Sequence, residues 1–132
     1  IFHIGPLGTG QITKLVNQMI AGGIMTLIGE GMAMVRSAGL DLNKVAEVVS
    51  VSSGNSTVFD SRIKFILEDS YPSGFKAELM RKDISLAIEL ARQLNTHTPV
   101  AAAALDQYDE ALQSGFAEED FSAVAKVSRA AR

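Results

Sequence analysis

No cysteine occurs in this chain of 132 residues, so disulfide cross-links and thiolate metal sites are excluded. A reducing compartment is compatible with that absence, and the cytoplasm is the expected location. Histidine is nearly as scarce. His3 and His97 stand far apart without the spacing of metal ligands, so no metal is expected. No basic cluster is present and the net charge is -3, which argues against nucleic acid or an anionic membrane surface as the main partner. Long uninterrupted apolar runs are missing too. The stretch 15–29 is interrupted by Asn17 and Gln18 and ended by Glu30, whereas a membrane span needs about 20 mostly apolar residues. A buried core helix is expected there, and no membrane partner. The opening residues 1–6 are too short and too punctuated for a signal peptide, and a start at Ile1 reads as a fragment or a trimmed chain.

Repeats, linkers and low-complexity tracts are absent, and after Gly10 no alternation of period two appears. The fold class expected is all-α, a multi-helix bundle around a long central helix, forming one domain over 1–132. Residues 1–4 have a strand-like character, stopped by Gly5-Pro6. The central helix is expected over about 9–38, apolar on most sides. Gly22, Gly23, Gly29 and Gly31 lie inside it, and each costs up to about 1 kcal/mol relative to alanine, so close contact with neighbouring helices is the expected compensation. Gly39 suits the left-handed position that ends it. Asp41 caps a helix over 42–51 with Val45, Val48 and Val49 on one face. Further helices are expected over 56–68, over 75 or 77–94 with Leu79, Ile84, Leu86, Ala87, Leu90 and Leu94 as apolar positions, and over 99–113. Thr98-Pro99 supplies a start signal for the last of these, and Asp120 caps a final helix over 121–130.

Chemistry concentrates at the start of the long helix. Gly8-Thr9-Gly10 permits a tight turn into it, and Lys14, Asn17 and Gln18 follow on an oily surface. The glycines do not make a dinucleotide loop, because G-x-G-x-x-G spacing is missing; nor a P-loop, because Gln11 rather than lysine follows Gly10. The free amides of a helix start still attract an anion. Lys14 and Gln18 are four apart and project about 40° from one another, with Asn17 on the other flank. An ammonium and a carboxamide presented together can hold a hydroxyl or carbonyl oxygen, and desolvation of a lysine favours its neutral form, as proton transfer near neutrality requires. Spacing alone favours the plainer alternative modestly: a lysine snorkelling at the exposed end of a core helix. A second candidate is the run 75–83, where Phe75 and Lys82 are seven apart and would share a helix face. Its plainer reading is an ordinary Glu78–Lys82 surface pair. Glu30 is off the Lys14 face, and three roles are open to it: catalysis, a bond to a neighbouring helix, or exposure at solvent.

Gly5-Pro6-Leu7-Gly8-Thr9-Gly10-Gln11-Ile12-Thr13-Lys14-Leu15-Val16-Asn17-Gln18 closely resembles the start of the C-terminal domain of β-hydroxyacid dehydrogenases. That family includes 3-hydroxyisobutyrate dehydrogenase and tartronate semialdehyde reductase, within the 6-phosphogluconate dehydrogenase superfamily. The resemblance continues through Ser37-Ala38-Gly39-Leu40-Asp41, Ser53-Gly54-Asn55-Ser56, Gly74-Phe75 and Leu79-Met80-Arg81-Lys82-Asp83 to Asp120-Phe121-Ser122-Ala123. It implies a helical domain that closes an active site over NAD or NADP, the cofactor being held mainly by an N-terminal Rossmann domain that would precede Ile1. It implies that Lys14 is the catalytic residue, that Gly10, Asn17 and Gln18 contact substrate, and that Phe75, Lys82 and Asp83 lie on the cofactor side. The family usually has asparagine where this chain has Gln18; the Asn17-Gln18 arrangement resembles tartronate semialdehyde reductases. Phosphogluconate dehydrogenases follow their lysine with a His-Asn pair, absent here, so 6-phosphogluconate is not the expected substrate. A small 3-hydroxy acid is, handled by a homodimer or tetramer. The rival reading is a non-catalytic helical oligomerisation module of the same fold, and the presence of both Lys14 and Lys82 argues against it.

Overall fold

A computed structural model describes residues 5–129, so the strand-like reading of residues 1–4, together with His3, lies outside the described residues. Five α-helices follow one another: α1 Thr9–Ser37, α2 Leu42–Ser50, α3 Thr57–Glu68, α4 Ala77–Gln93 and α5 Pro99–Gln113. A 3₁₀ helix, Phe121–Arg129, ends the described residues in place of a last α-helix. No strand occurs among the described residues, only an isolated bridge between Lys76 and Asp120.

Local chemistry explains most boundaries. The α1 backbone enters through Gly8 in the left-handed region (φ 96°), where a side chain would be strained. It leaves through Gly39 (φ 72°), with Leu40 N–H donating to the Val35 carbonyl and Gly39 N–H to Arg36, the paired bonds of a Schellman motif. Asp41 caps α2 by accepting from the N–H groups of Asn43 and Lys44, and the Ser56 hydroxyl caps α3 by accepting from Phe59 N–H. Thr98 departs from expectation: Pro99 begins α5, but the Thr98 side chain makes no capping bond.

The start of α4 has a different origin. Lys76 at its N-cap offers no side-chain bond. Instead Ala77 N–H donates to the Glu119 carbonyl at 2.8 Å and Glu78 N–H to the Ala117 carbonyl at 3.0 Å. The turn before the 3₁₀ helix thus satisfies amides that a helix terminus otherwise leaves unpaired. Inside this junction lies Asp120, fully buried. Its carboxylate accepts from Arg62, from Phe75 N–H and from both the N–H and hydroxyl of Ser122. The Arg62 guanidinium also stacks over the Phe121 ring, 4.7 Å from its centre. Buried charge is tolerated here because every lone pair has a donor nearby.

α1 is the central element and packs against each of the others. By length and composition it could cross a membrane; in this fold its inner face, Gly22, Met25, Thr26, Gly29 and Met32, is buried in the bundle. The expectation of a helix buried on most sides is corrected: Ile20, Leu27 and Met34 on its outer face are 53%, 62% and 73% exposed. The glycines divide accordingly. A Cβ at Gly29 would stand 2.7 Å from the Ala125 Cα, and one at Gly22 would stand 2.6 Å from Ile84 Cδ1, so both permit close approach. Gly23 and Gly31 meet nothing within 4 Å. In α2 the inward face is Leu42, Val45, Ala46 and Val49, while Val48 is exposed. In α4, Leu79, Leu86 and Leu94 are exposed, and the core positions are Ala77, Met80, Ile84, Ala87, Ile88 and Ala91.

Candidate active site

The first two turns of α1 and the C-terminal two-thirds of α4 lie side by side, and between them opens a cleft of about 480 Å³. Gln11, Lys14 and Leu15 line it from α1; Lys82, Asp83, Leu86, Glu89, Leu90 and Gln93 line it from α4. The stripe on α4 is the helical progression of steps four, three and four from Lys82, so one face of that helix points into the cleft. Gln18 Nε2 donates to Asp83 Oδ2 at 3.2 Å, joining segments 65 residues apart in sequence. Two cations and two carboxylates therefore share one concavity. Other grooves beside α1 are apolar. The groove lined by Ile20, Gly23, Leu27, Pro99 and Val100 holds His97 as its one titratable side chain.

Three of the candidate residues, Lys14, Lys82 and Asp83, line the cleft, and Gln18 is bonded to one of them. Gly10 and Asn17 are exposed at the same end of α1 and are not among the lining residues. Phe75 sits apart. It precedes α4 rather than lying on it, so it does not share a helix face with Lys82, and its ring packs edge-on against Phe121 with centres 6.1 Å apart. Lys14 is itself exposed, so the oily helix surface does not desolvate it in this chain. Asp83 is buried, at 7% exposure. No Glu78–Lys82 ion pair forms among the described residues. Glu30 accepts from Gln107 Nε2 on α5 at 2.7 Å, which assigns it to helix packing. No group of three His, Asp or Glu side chains among the described residues is arranged to hold a metal.

Sequence reasoning missed Gln11, Glu89 and Gln93. Gln11 is three residues before Lys14, and Glu89 is seven after Lys82, so helical periodicity alone carried the signal. What it could not carry was the pairing of α1 with α4.

The described residues thus form an all-helical domain in which Lys14, Lys82 and Asp83 line one cleft and Gln18 is bonded to Asp83. The family model described as NAD-binding of NADP-dependent 3-hydroxyisobutyrate dehydrogenase matches residues 8–128, and the chain belongs to that family of NAD(P)-dependent hydroxyacid dehydrogenases. Glyoxylate/succinic semialdehyde reductase 2 of Arabidopsis thaliana is 37% identical over 131 residues, covering 99% of this chain and 37% of the relative. NAD-dependent L-serine dehydrogenase of Pseudomonas aeruginosa is 36% identical, covering 96% of this chain and 45% of the relative. Among solved structures, Mycobacterium tuberculosis 3-hydroxyisobutyrate dehydrogenase with L-serine superposes at a TM-score of 0.88 and 27% identity. That match covers 98% of this chain and 47% of the other. The chain thus spans under half the length of these relatives.

Proposed function

We propose that this chain is the catalytic, C-terminal half of an NAD(P)-dependent dehydrogenase acting on a small 3-hydroxy acid, of the 3-hydroxyisobutyrate or the tartronate semialdehyde/glycerate type. A nucleotide-binding Rossmann domain would complete it, and the working unit would be a homodimer or tetramer. The observation that carries this reading is the cleft itself, in which Lys14 faces Lys82 and Asp83 across two helices. The relatives' names agree in kind: their substrates are short carboxylic acids bearing a hydroxyl group or an aldehyde.

The described residues fit one end of the nicotinamide cofactor and not the other. The cleft is open and carries two lysines and two carboxylates; its lysines suit the reacting end and an acid substrate. No glycine loop for a pyrophosphate is present in the chain. When bound, NAD(P) supplies the hydride acceptor. Lys14 takes the hydroxyl proton as the substrate is oxidised, and returns it to the oxygen in the reverse direction. Lys82 adds positive charge that favours a carboxylate. Gln18 orients the substrate one turn beyond Lys14, and a covering domain excludes water from an otherwise open site.

The test is single-turnover hydride transfer in the full-length enzyme. Lys14→Ala is expected to lower the rate by roughly 10²–10⁴-fold, the scale for losing a positioned acid–base group. Lys14→Arg is expected to fail likewise, because a guanidinium is effectively never deprotonated. A folded Lys14→Ala enzyme near wild-type in that step would leave Lys14 a solvated charge and favour the non-catalytic module.

A further inference from the structure

We propose that Asp83 is a positioning residue that fixes the orientation of the Gln18 carboxamide, and thereby selects substrates carrying a second hydrogen-bond donor, a hydroxyl or an ammonium group. The inference rests on the dehydrogenase reading and narrows its substrate class.

A carboxamide has two unlike arms, an NH₂ that only donates and an oxygen that only accepts. Which arm a ligand meets is usually open, since the side chain can turn over. Here it is not. Asp83 is buried and an ionised carboxylate only accepts, so the arm of Gln18 that meets it at 3.2 Å is the NH₂. Turning the amide over would set its oxygen against the buried Asp83 carboxylate, leaving two acceptors facing one another without a donor. With one Nε2 proton held by Asp83 and the amide's direction set by it, the oxygen is the acceptor that Gln18 offers to a ligand.

That polarity matters because the reacting oxygen already has its partner. Lys14 stands one turn away on the same helix and handles the hydroxyl or carbonyl that is oxidised or reduced. The Gln18 oxygen is therefore available to a different group, and only a donor satisfies it. Glu89, on the same wall as Asp83, adds a further acceptor to the cleft. A hydroxyl or ammonium group next to the carboxylate, as in glycerate or serine, supplies the donor. A methyl group or hydrogen there, as in 3-hydroxyisobutyrate or 3-hydroxypropionate, leaves the oxygen unpaired, and sites built for a hydrogen bond reject analogues that lack it.

The experiment compares kcat/KM of the full-length enzyme for L-serine and glycerate with that for 3-hydroxypropionate and 3-hydroxyisobutyrate. The wild type is expected to favour the better donor-bearing acid by at least about 10-fold. Asp83→Asn, which keeps the shape but no longer dictates the amide's direction, should cut the preference several-fold. Asp83→Leu, with no acceptor left, should bring it near parity. The loss should appear in KM for the donor-bearing acid. A merely structural or cofactor-holding role of Asp83 would depress all four substrates equally and leave the ratio intact, which would overturn the proposal, as would a wild type without the preference.

A second readout uses the 132-residue chain. One Gln18 side-chain amide proton should be shifted and slowed in exchange by Asp83, and revert in Asp83→Leu. An amide pair unchanged by that substitution also overturns the proposal. Turnover of none of the four acids by the wild type would instead count against the dehydrogenase reading, with the amide resonance still deciding whether Asp83 holds Gln18.

Discussion

Removal of the Asp120 carboxylate is expected to cost about 3–5 kcal/mol, the scale for breaking a buried ion pair from one side. Five hydrogen bonds converge on it: from Arg62 Nε at 3.2 Å and Nη2 at 3.4 Å, from Phe75 N–H at 3.1 Å, from Ser122 N–H at 3.1 Å and from the Ser122 hydroxyl at 2.6 Å. Asp120→Ala strands the Arg62 guanidinium, half-buried over Phe121, and leaves two backbone amides without their acceptor. A domain of this size is stable by roughly 5–15 kcal/mol, so the variant loses about a fifth or more of the total, a fall in Tm on the order of 10–20 °C. Ser122→Ala, which removes one donor, should cost about 1 kcal/mol. The acid limb adds a second check. Burial pushes the Asp120 carboxyl up, but the bonds from Ser122, Arg62 and the Phe75 and Ser122 amides prevail and hold it below its ordinary value. A carboxyl depressed in the folded state contributes its stability in full above the unfolded value of about 3.9, and loses it as pH falls through the lower folded value. Asp120→Asn should therefore flatten stability against pH below about pH 4. Urea titrations of wild type and variants between pH 2 and 7 measure both effects. A cost under about 1 kcal/mol at pH 7, or an acid limb unchanged in Asp120→Asn, would refute the reasoning.

The glycines of α1 give a paired test by thermal denaturation. Gly29→Ala, whose Cβ would meet the Ala125 backbone at 2.7 Å, should destabilise by about 1–3 kcal/mol, whereas Gly31→Ala, with open space around it, should be neutral or stabilising by up to about 1 kcal/mol. Equal effects at the two positions would contradict the packing described. The exposed Ile20, Leu27 and Met34 on the outer face of α1 form an apolar surface that a second subunit is expected to cover. Light scattering should report a dimer or larger, with Leu27→Glu shifting it toward monomer, and a strictly monomeric wild type at high concentration would count against that association.

Legibility in the sequence followed the range of the interactions. Asp41, Ser56 and Gly39 act on amides or carbonyls within a few residues, so the boundaries they set were readable from spacing. Lys14 with Gln18, and Lys82 with Asp83, were likewise readable as helical neighbours. Phe75 was not. Its expected place on the Lys82 face assumed that helix could begin before it, and the carbonyls of Ala117 and Glu119, some forty residues onward, start α4 at Ala77 instead. The four glycines of α1 look equivalent in sequence and differ only in what stands opposite. Val48 and Leu86 obey helical periodicity in type but remain exposed, Leu86 on the wall of the cleft, because burial depends on where the neighbouring helices lie.

The same junction links stability to the site. The turn at 117–120 terminates α4 at its N-terminal end, and Asp120 holds that turn to Arg62 on α3 and to Phe75. Lys82 and Asp83 follow within two turns along a helix that rises about 1.5 Å per residue. A helix start displaced by one residue would rotate them by about 100° and carry Asp83 away from Gln18. The position of the cleft's second lysine is thus fixed by a buried carboxylate that lies outside the cleft lining.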